Sequence, residues 1–546
     1  MPFGILEDRH LEQVPGTGLL SDRGVVHGNT VTIDEATDLK RGVGRHAHVV
    51  LMPQPSDDPN DPLNWPQWKK EACFWSLTFA ASLDGALSPL ASAGYAILTQ
   101  EFGVSIDDIT SSFGSILLGL GCFMLFQNML AVKFGHRIVY LGSVSLMFIS
   151  CIWCAASPTL TSIRAARVFQ GFGMSALQSL VATTIEQIYF VHERGARSLI
   201  WSFGILSGIT LGPLIYSYVI ERLSWRWGFW FVSIALGICT LLVFFFVPET
   251  TYRRVTPPQV TQSATEHDDN SEKGDISVVE KVDSEQQSST ESPVYRKRNY
   301  ISSLRIWNGT FSNDNIFKVF LRPFPFLFSP VAWFMFLSHG MQTVWLSLVP
   351  LCSSTIFTLE YNFTASQIGL TNLGGLVGIA LGTAVTGPLL DYGMIWLSKR
   401  NRGIYEPEFR LIFMSTMLFG LFGYIGWAVG NQHKMPWIGA VACITMLNFS
   451  MAVSGSTAVV YLLDTHGANA LQIFALSNFL KNMVLYGSTF FANGMVQNRG
   501  VTVALFILAG CQGVCWLASI PMFVYGKRVR SYIARHPHFF AVDKIE

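Results

Sequence analysis

About twelve stretches of some twenty predominantly apolar residues recur along this chain, and no other feature restricts its folding as much. A bilayer core about 30 Å thick needs roughly 20 apolar residues per helix. The stretches lie near 72–98, 111–131, 138–156, 165–187, 199–220 and 228–247, and again near 326–350, 366–390, 410–429, 436–460, 471–495 and 501–525. Within lipid every backbone N–H and C=O must find its partner inside the protein, which leaves helices or a closed barrel. Runs of this length predict helices. The expected fold class is therefore all-α integral membrane protein, with about twelve transmembrane helices. Only 13% of the 546 residues are charged, against roughly 25% in an ordinary soluble domain, so a water-soluble enzyme is excluded.

The polar segments divide the chain. Residues 1–70 form an N-terminal tail, 71–250 a first set of six spans, 251–325 a linker, 326–526 a second set of six, and 527–546 a C-terminal tail. The linker is rich in Ser, Glu, Gln, Thr and Lys and is expected to be largely disordered. Six spans, a polar linker and six more spans is the layout of a transporter built from two pseudo-symmetric bundles. Loops on one side hold Lys133, Arg137, Arg194, Arg197, Lys399, Arg400, Lys527 and Arg530; those on the other hold fewer, Arg222, Arg226, Lys434 and Arg499. The positive-inside rule then puts both termini and the linker in the cytosol. No basic stretch leads into a short apolar run at the start, so no cleavable signal peptide is expected. The net charge of +1 gives no reason to expect nucleic acid, and the nine scattered Cys read as buried helix thiols without disulfides or metal.

Several segments carry recognisable wording. They are DDPNDPLNWPQWKK before the first span, LAVKFGHRIVYLGS after the second, RAARVFQGFGMSALQSL opening the fourth, and GILSGITLGPLIYSY in the fifth. SWRWGFWF and VPETTYRR bracket the sixth, and GPLLDYGMIWLSKRNRG follows the eighth. Together, from Asp57 to Arg530, they resemble the major facilitator superfamily, and more narrowly the fungal branch of its twelve-spanning drug:proton antiporters. The resemblance implies that Gly208, Gly212 and Pro213 form the antiporter motif of the fifth span, at the interface between the bundles. Glycines four apart also let a neighbouring backbone approach closely, so simple helix packing stands as the alternative. The loop after the second span resembles the family's conformational latch at Gly135 and Arg137, but Val132 occupies the place of its acid. In the second half Asp391 keeps that acid, with Lys399 and Arg400 after it. Anchoring of helix ends by basic residues explains the cations equally well.

A charge at the bilayer centre costs roughly 2.5–3.5 kcal/mol on insertion scales, so such residues face a partner or a wet cavity. Asp84 lies midway along the first span, followed by Gly85 and Pro89, where the helix is expected to be irregular. A carboxylate there is suited to take up and release a proton, or to neutralise a cationic substrate. Arg167 resembles the family's proton-motif arginine and would tie proton release to conformation; a snorkelling arginine is the bland reading. Lys481, with Asn478 and Asn482, makes a polar stripe on the eleventh span, facing the cavity or pairing with a helix end. Glu186 reads as a helix-end salt bridge. Gln127, Asn128, His339, Gln342, Asn372 and Asn448 are candidate cavity residues, and Trp345 and Tyr461 offer flat apolar surface for a hydrophobic ligand. Each alternatively packs helices. Asn362 begins a glycosylation sequon in an outer loop.

The first function to expect is proton-coupled efflux of a small organic molecule, a drug or fungal secondary metabolite, by alternating access. Its setting is the plasma membrane or, alternatively, the vacuole or another internal membrane. Two alternatives stand beside it: an importer or facilitator of a nutrient such as a polyamine or other organic cation, and a transporter-like receptor signalling through the linker. The sequence shows no His-rich metal box, no GxSxG and no phosphate-binding loop with Lys, so neither catalysis nor a cofactor is expected. The expected partners are the organic substrate, protons and lipid, around a monomer.

Overall fold

The structure, a computed structural model, describes residues 55–252, 299–311, 315–401 and 403–536, with Phe540 and parts of the stretch 4–27. Residues 253–298, the middle of the expected linker, lie outside the described residues.

The first half runs through α1 (Gln67–Leu87), the short α2 (Tyr95–Phe102), α3 (Ile106–Phe134), α4 (His136–Ala156), α5 (Leu160–Ile188), α6 (Val191–Arg222) and α7 (Trp225–Phe246). Two short helices, α8 (Tyr300–Ser303) and α9 (Ile316–Leu321), end the linker. The second half holds α10 (Pro330–Met335), α11 (Gln342–Tyr361), α12 (Ala365–Arg400), α13 (Met417–Gln432) and α14 (Trp437–His466). It continues with α15 (Ala470–Ser488), α16 (Ala492–Arg499), α17 (Val501–Leu517) and α18 (Ser519–Arg535). A π-helical turn, Phe336–Met341, joins α10 to α11, and a 3₁₀ stretch, Pro407–Thr416, leads into α13.

Three expected spans are interrupted or longer than their hydropathy suggested. The first breaks after Leu87, where Pro89 cannot continue the ladder, and resumes at α2. The eleventh breaks between α15 and α16. The twelfth extends to Arg535, because Lys527 and Arg530 on α18 find acidic partners. Among the described residues nine helices are long and apolar enough to cross a membrane on length and composition alone. The crossings that fall short of that measure are α1, α5 and α15 with α16, and each carries one of the intramembrane charges, Asp84, Arg167 and Lys481. The charged residues thus sit where a polar environment must replace lipid.

Close backbone approach holds the first bundle. A side chain on Gly119 would collide with the Val168 carbonyl, and one on Gly171 with the Ile116 carbonyl, so α3 and α5 cross on reciprocal glycines. Gly208 and Gly212 meet Ser82 and Ala86 of α1 in the same way. The glycines of the fifth span therefore face its own bundle. The other side of α6, Thr210 and Ser217, meets Gly375 and Gly369 of α12 across the molecule.

Side-chain hydrogen bonds join the two sets of helices on the half remote from the chain termini. Ala96 N–H donates to Ser354 Oγ at 3.2 Å, and Ser366 N–H to Glu221 Oε2 at 2.9 Å. Asn493 links Thr110 at 2.8 Å and Thr355 at 2.7 Å, and Asp107 accepts the Gly494 N–H at 3.0 Å. Asp107 thereby supplies from the first bundle the carboxylate that the first turn of α16 needs. The molecule is closed at this remote face.

At the terminus face the N-terminal tail reaches the opposite bundle. Ile5 is buried among Met394, Leu397, Tyr405 and Phe409. Leu6 N–H donates to Val524 O at 3.1 Å, and Ser531 Oγ to Asp8 at 2.6 Å. Strand β1 (Gly18–Ser21) pairs antiparallel with β2 (Gly24–His27) and with β3 (Ile404–Tyr405).

Candidate functional site

Asp84 is fully buried on α1. One carboxylate oxygen accepts the Gln178 amide of α5 at 3.0 Å, while the other has no hydrogen-bond partner. Gly85 beside it lies against the Ile205 carbonyl, so α1 is pressed onto α6 at this level. At the same level of α5, on either side of Gln178, α3 and α5 share a polar web. Gln127 bonds to Ser179 and, at 3.1 Å, to Asn128; Ser175 donates to Gln127 at 3.3 Å. Gln127 and Asn128 stood out in the sequence; Ser175 and Ser179, one helical turn apart on α5, and Gln178, which turns to α1, did not.

Arg167 is also fully buried, and its partners are two backbone carbonyls and the Gln170 side chain. Nη1 donates to Leu87 O at 2.9 Å and to Gln170 Oε1 at 2.9 Å, and Nη2 lies 3.4 Å from Ser88 O. Its guanidinium stands 5.3 Å and 5.5 Å from the rings of Phe113 and Phe229. The break after α1 leaves carbonyls without intrahelical donors, and a cation there also complements the negative end of the helix dipole. Arg167 thus braces the broken first span instead of pairing with a carboxylate.

The second bundle contributes a different surface. His339 lies in the π-helical turn, its ring 5.5 Å from that of Phe474, and its Nδ1 is buried without a partner. Gly340 next to it leaves room for α15: a Cβ there would stand 3.5 Å from both Lys481 Cβ and Ser477 Oγ. Ser477 Oγ and Asn482 Nδ2 are likewise buried and unpartnered. Gln342 turns the other way, between Ser450 at 3.4 Å and Ser454 at 2.8 Å, beside a small cavity that Tyr424 and Gln512 also line.

The remaining sequence candidates disperse. Asn372 and Asn448 bond to carbonyls of their own helices, at 3.2 Å to Gly369 and 2.9 Å to Ile444. Trp345 packs between the two hydrophobic clusters. Tyr461 is buried against Phe334 nearer the terminus face. Asp391 is exposed, and Arg400 lies over Trp396 at 4.7 Å. Glu186 forms no ion pair among the described residues; its carbonyl accepts Arg194 at 2.7 Å. Pro213 sits inside a continuous α6, and Asn362 is exposed at the end of α11 with φ +53°.

Arg137 shows what replaces the acid missing at Val132. Glu249, in the VPET segment after α7, accepts the N–H groups of His136 at 3.0 Å and Arg137 at 3.2 Å. Gly135, at φ +91°, has no room for a side chain between Glu249 and Phe311. The Arg137 guanidinium bonds to carbonyls at Phe244, Val247, Leu304 and Arg305. Across the molecule the buried cluster of Arg530 with Glu408 at 2.8 Å, Lys527 with Glu406 at 2.6 Å and Arg410 with Asp464 at 2.6 Å holds the same face of the second bundle.

With the geometry described, the chain was compared with known proteins. The pattern described as Major Facilitator Superfamily matches residues 74–483. Protein HOL1 of Saccharomyces cerevisiae is 26% identical, with 96% of this chain and 97% of the relative covered. The efflux pump vrtL of Penicillium aethiopicum is 26% identical over 87% of this chain and 89% of its own. Among solved structures, a D-xylose-proton symporter superposes with a TM-score of 0.58 at 16% identity, covering 84% of this chain and 99% of that one. At that identity the likeness concerns the fold alone.

Proposed function

This chain belongs to the major facilitator superfamily, and from that premise we propose that it exports a small organic molecule by alternating access, coupled to protons. The bundles 71–250 and 326–526 rock about the polar groups between them, in the plasma membrane with both termini cytosolic. In that orientation the described state is closed outside, and Asn362 stands outside as a glycosylation acceptor. Export is the direction we favour because relatives such as vrtL are named efflux pumps.

The observation that carries the reading is Asp84: a fully buried carboxylate in a span, with one oxygen lacking any donor. It is the proton carrier we propose. Each proton crossing with the membrane potential supplies about 2.3 kcal/mol per 100 mV. Proteoliposomes holding a pH-sensitive dye and challenged with a panel of organic solutes test this. A transported solute moves protons in the opposite sense in wild type, and Asp84→Asn abolishes the proton movement. Proton movement unchanged in Asp84→Asn, or solute transport indifferent to a protonophore, contradicts it.

The same free oxygen favours one second reading, uptake of an organic cation with Asp84 as its counter-ion. Solute and protons then move in the same direction in the same assay.

A further inference from the structure

The second bundle holds a cluster of groups able to donate hydrogen bonds that have no partner among the described residues. Lys481 is only 9% exposed. It has neither an ion pair nor a hydrogen bond among the described residues. Around it stand Ser477 Oγ and, across Gly340, the imidazole of His339, with Ser477 Oγ and His339 Nδ1 buried and unpaired. A lysine ammonium can only donate, and a hydroxyl and an imidazole N–H are able to. No carboxylate faces this group from α10, α11, α14 or α15: the acids of the second bundle's buried cluster, Glu406, Glu408 and Asp464, are engaged by Arg530, Lys527 and Arg410.

A membrane-embedded cation is stabilised by a partner or by water. The alternative of a lysine pairing with a helix end does not apply, since no carbonyl accepts from Lys481. The local backbone is arranged around the group. The π-helical turn places His339 toward α15, and Gly340 lets the lysine stem pass at van der Waals distance. Turns of this kind interrupt helices where a site is built. The Phe474 ring flanks the imidazole and offers an apolar wall.

We infer that Lys481, Ser477 and His339 form a subsite for a carboxylate on the transported molecule, with Phe474 against its apolar body. This deepens the transport reading and rests on it. The substrate class that follows is an organic acid, or an amphoteric molecule with an acidic end, while Asp84 on the other bundle handles the proton.

The test needs no gradient. Thermal unfolding of the purified full-length protein is followed by tryptophan emission with sodium benzoate, with its neutral analogue benzamide, and with inorganic phosphate at matched ionic strength. Benzoate is expected to raise the unfolding temperature while benzamide and phosphate do not. Lys481→Met is expected to weaken the benzoate response by about tenfold or more, the loss of one charge-assisted hydrogen bond. Ser477→Ala, a smaller change to the packing, weakens it less, and Lys481→Arg retains it. No benzoate effect, an equal effect of benzamide, an equal effect of phosphate, or an unchanged response in Ser477→Ala and a folded Lys481→Met overturns the subsite. Because Asp84 and the proton gradient do not enter this readout, its failure and the failure of proton coupling are separately visible.

Discussion

Arg167 satisfies its charge with carbonyls at a helix break and with two aromatic faces, a geometry that needs a planar fork. Lysine keeps the charge and loses the fork and the stacking. Arg167→Lys is therefore expected to lower stability by about 2 kcal/mol, read as an earlier thermal unfolding of the purified protein, with the first span released from α5. Unchanged unfolding shows that charge alone suffices. Gln178 presents the opposite case, a single amide on a carboxylate. Gln178→Leu leaves Asp84 buried with no donor at all, and the proton movement of the liposome assay is expected to shift in pH while organic solute binding persists. An unmoved pH profile disconnects Gln178 from Asp84. Which of these residues could be read in the sequence follows from physics. Asp84, Arg167 and Lys481 stood out because a charge inside an apolar run is costly wherever the run folds. Gln178 and Glu249 did not, since an amide in a mildly polar helix and an acid at a helix end are unremarkable until the neighbour they serve is known.

The helices repeat this division. Their existence followed from length and hydropathy, and the break after α1 from Gly85 and Pro89. The π-helical turn and the gap between α15 and α16 left no such mark, because neither contains proline and both are fixed by packing against other helices. Glycine was legible as a motif, but the partner was not: Gly208 and Gly212 meet α1, whereas the crossing of α3 and α5 depends on Gly119, outside every recognised segment, and on Gly171, which the RAARVFQGFGMSALQSL segment contains without marking its partner. Adding one methyl to these backbones forces the helices apart. Gly171→Ala and Gly208→Ala are each expected to destabilise by about 1–3 kcal/mol, seen as reduced folded yield and a lower unfolding temperature. Gly142→Ala, where nothing lies within 4 Å of the new carbon, is expected to be neutral or slightly stabilising. Equal behaviour of the three variants removes the close-approach argument.

At the scale of the whole molecule, the two bundles are tied at one face by Asn493, Asp107, Ser354 and Glu221, while at the other the described part of the N-terminal tail packs on the second bundle. Alternating access requires the first set of ties to be breakable, and their strength fixes how often the remote face opens. Asn493 makes one of the bonds that cross, to Thr110 of α3, and is held in place by Thr355 of its own bundle. At about 1 kcal/mol net for the crossing bond, Asn493→Ala removes about 1 kcal/mol from the closed state, because an open face hydrates both partners. That difference shifts the ratio of open to closed molecules by about fivefold. Cys352 reports the shift. It is buried two residues before Ser354 in the same contact, and no disulfide engages it among the described residues. With Cys352 as the sole thiol, a membrane-impermeant maleimide added at the remote face is expected to label Asn493→Ala faster than the parent by about that factor, and Thr110→Ala similarly. Equal labelling rates mean that the remote face is held by its packed glycine contacts and not by this polar latch.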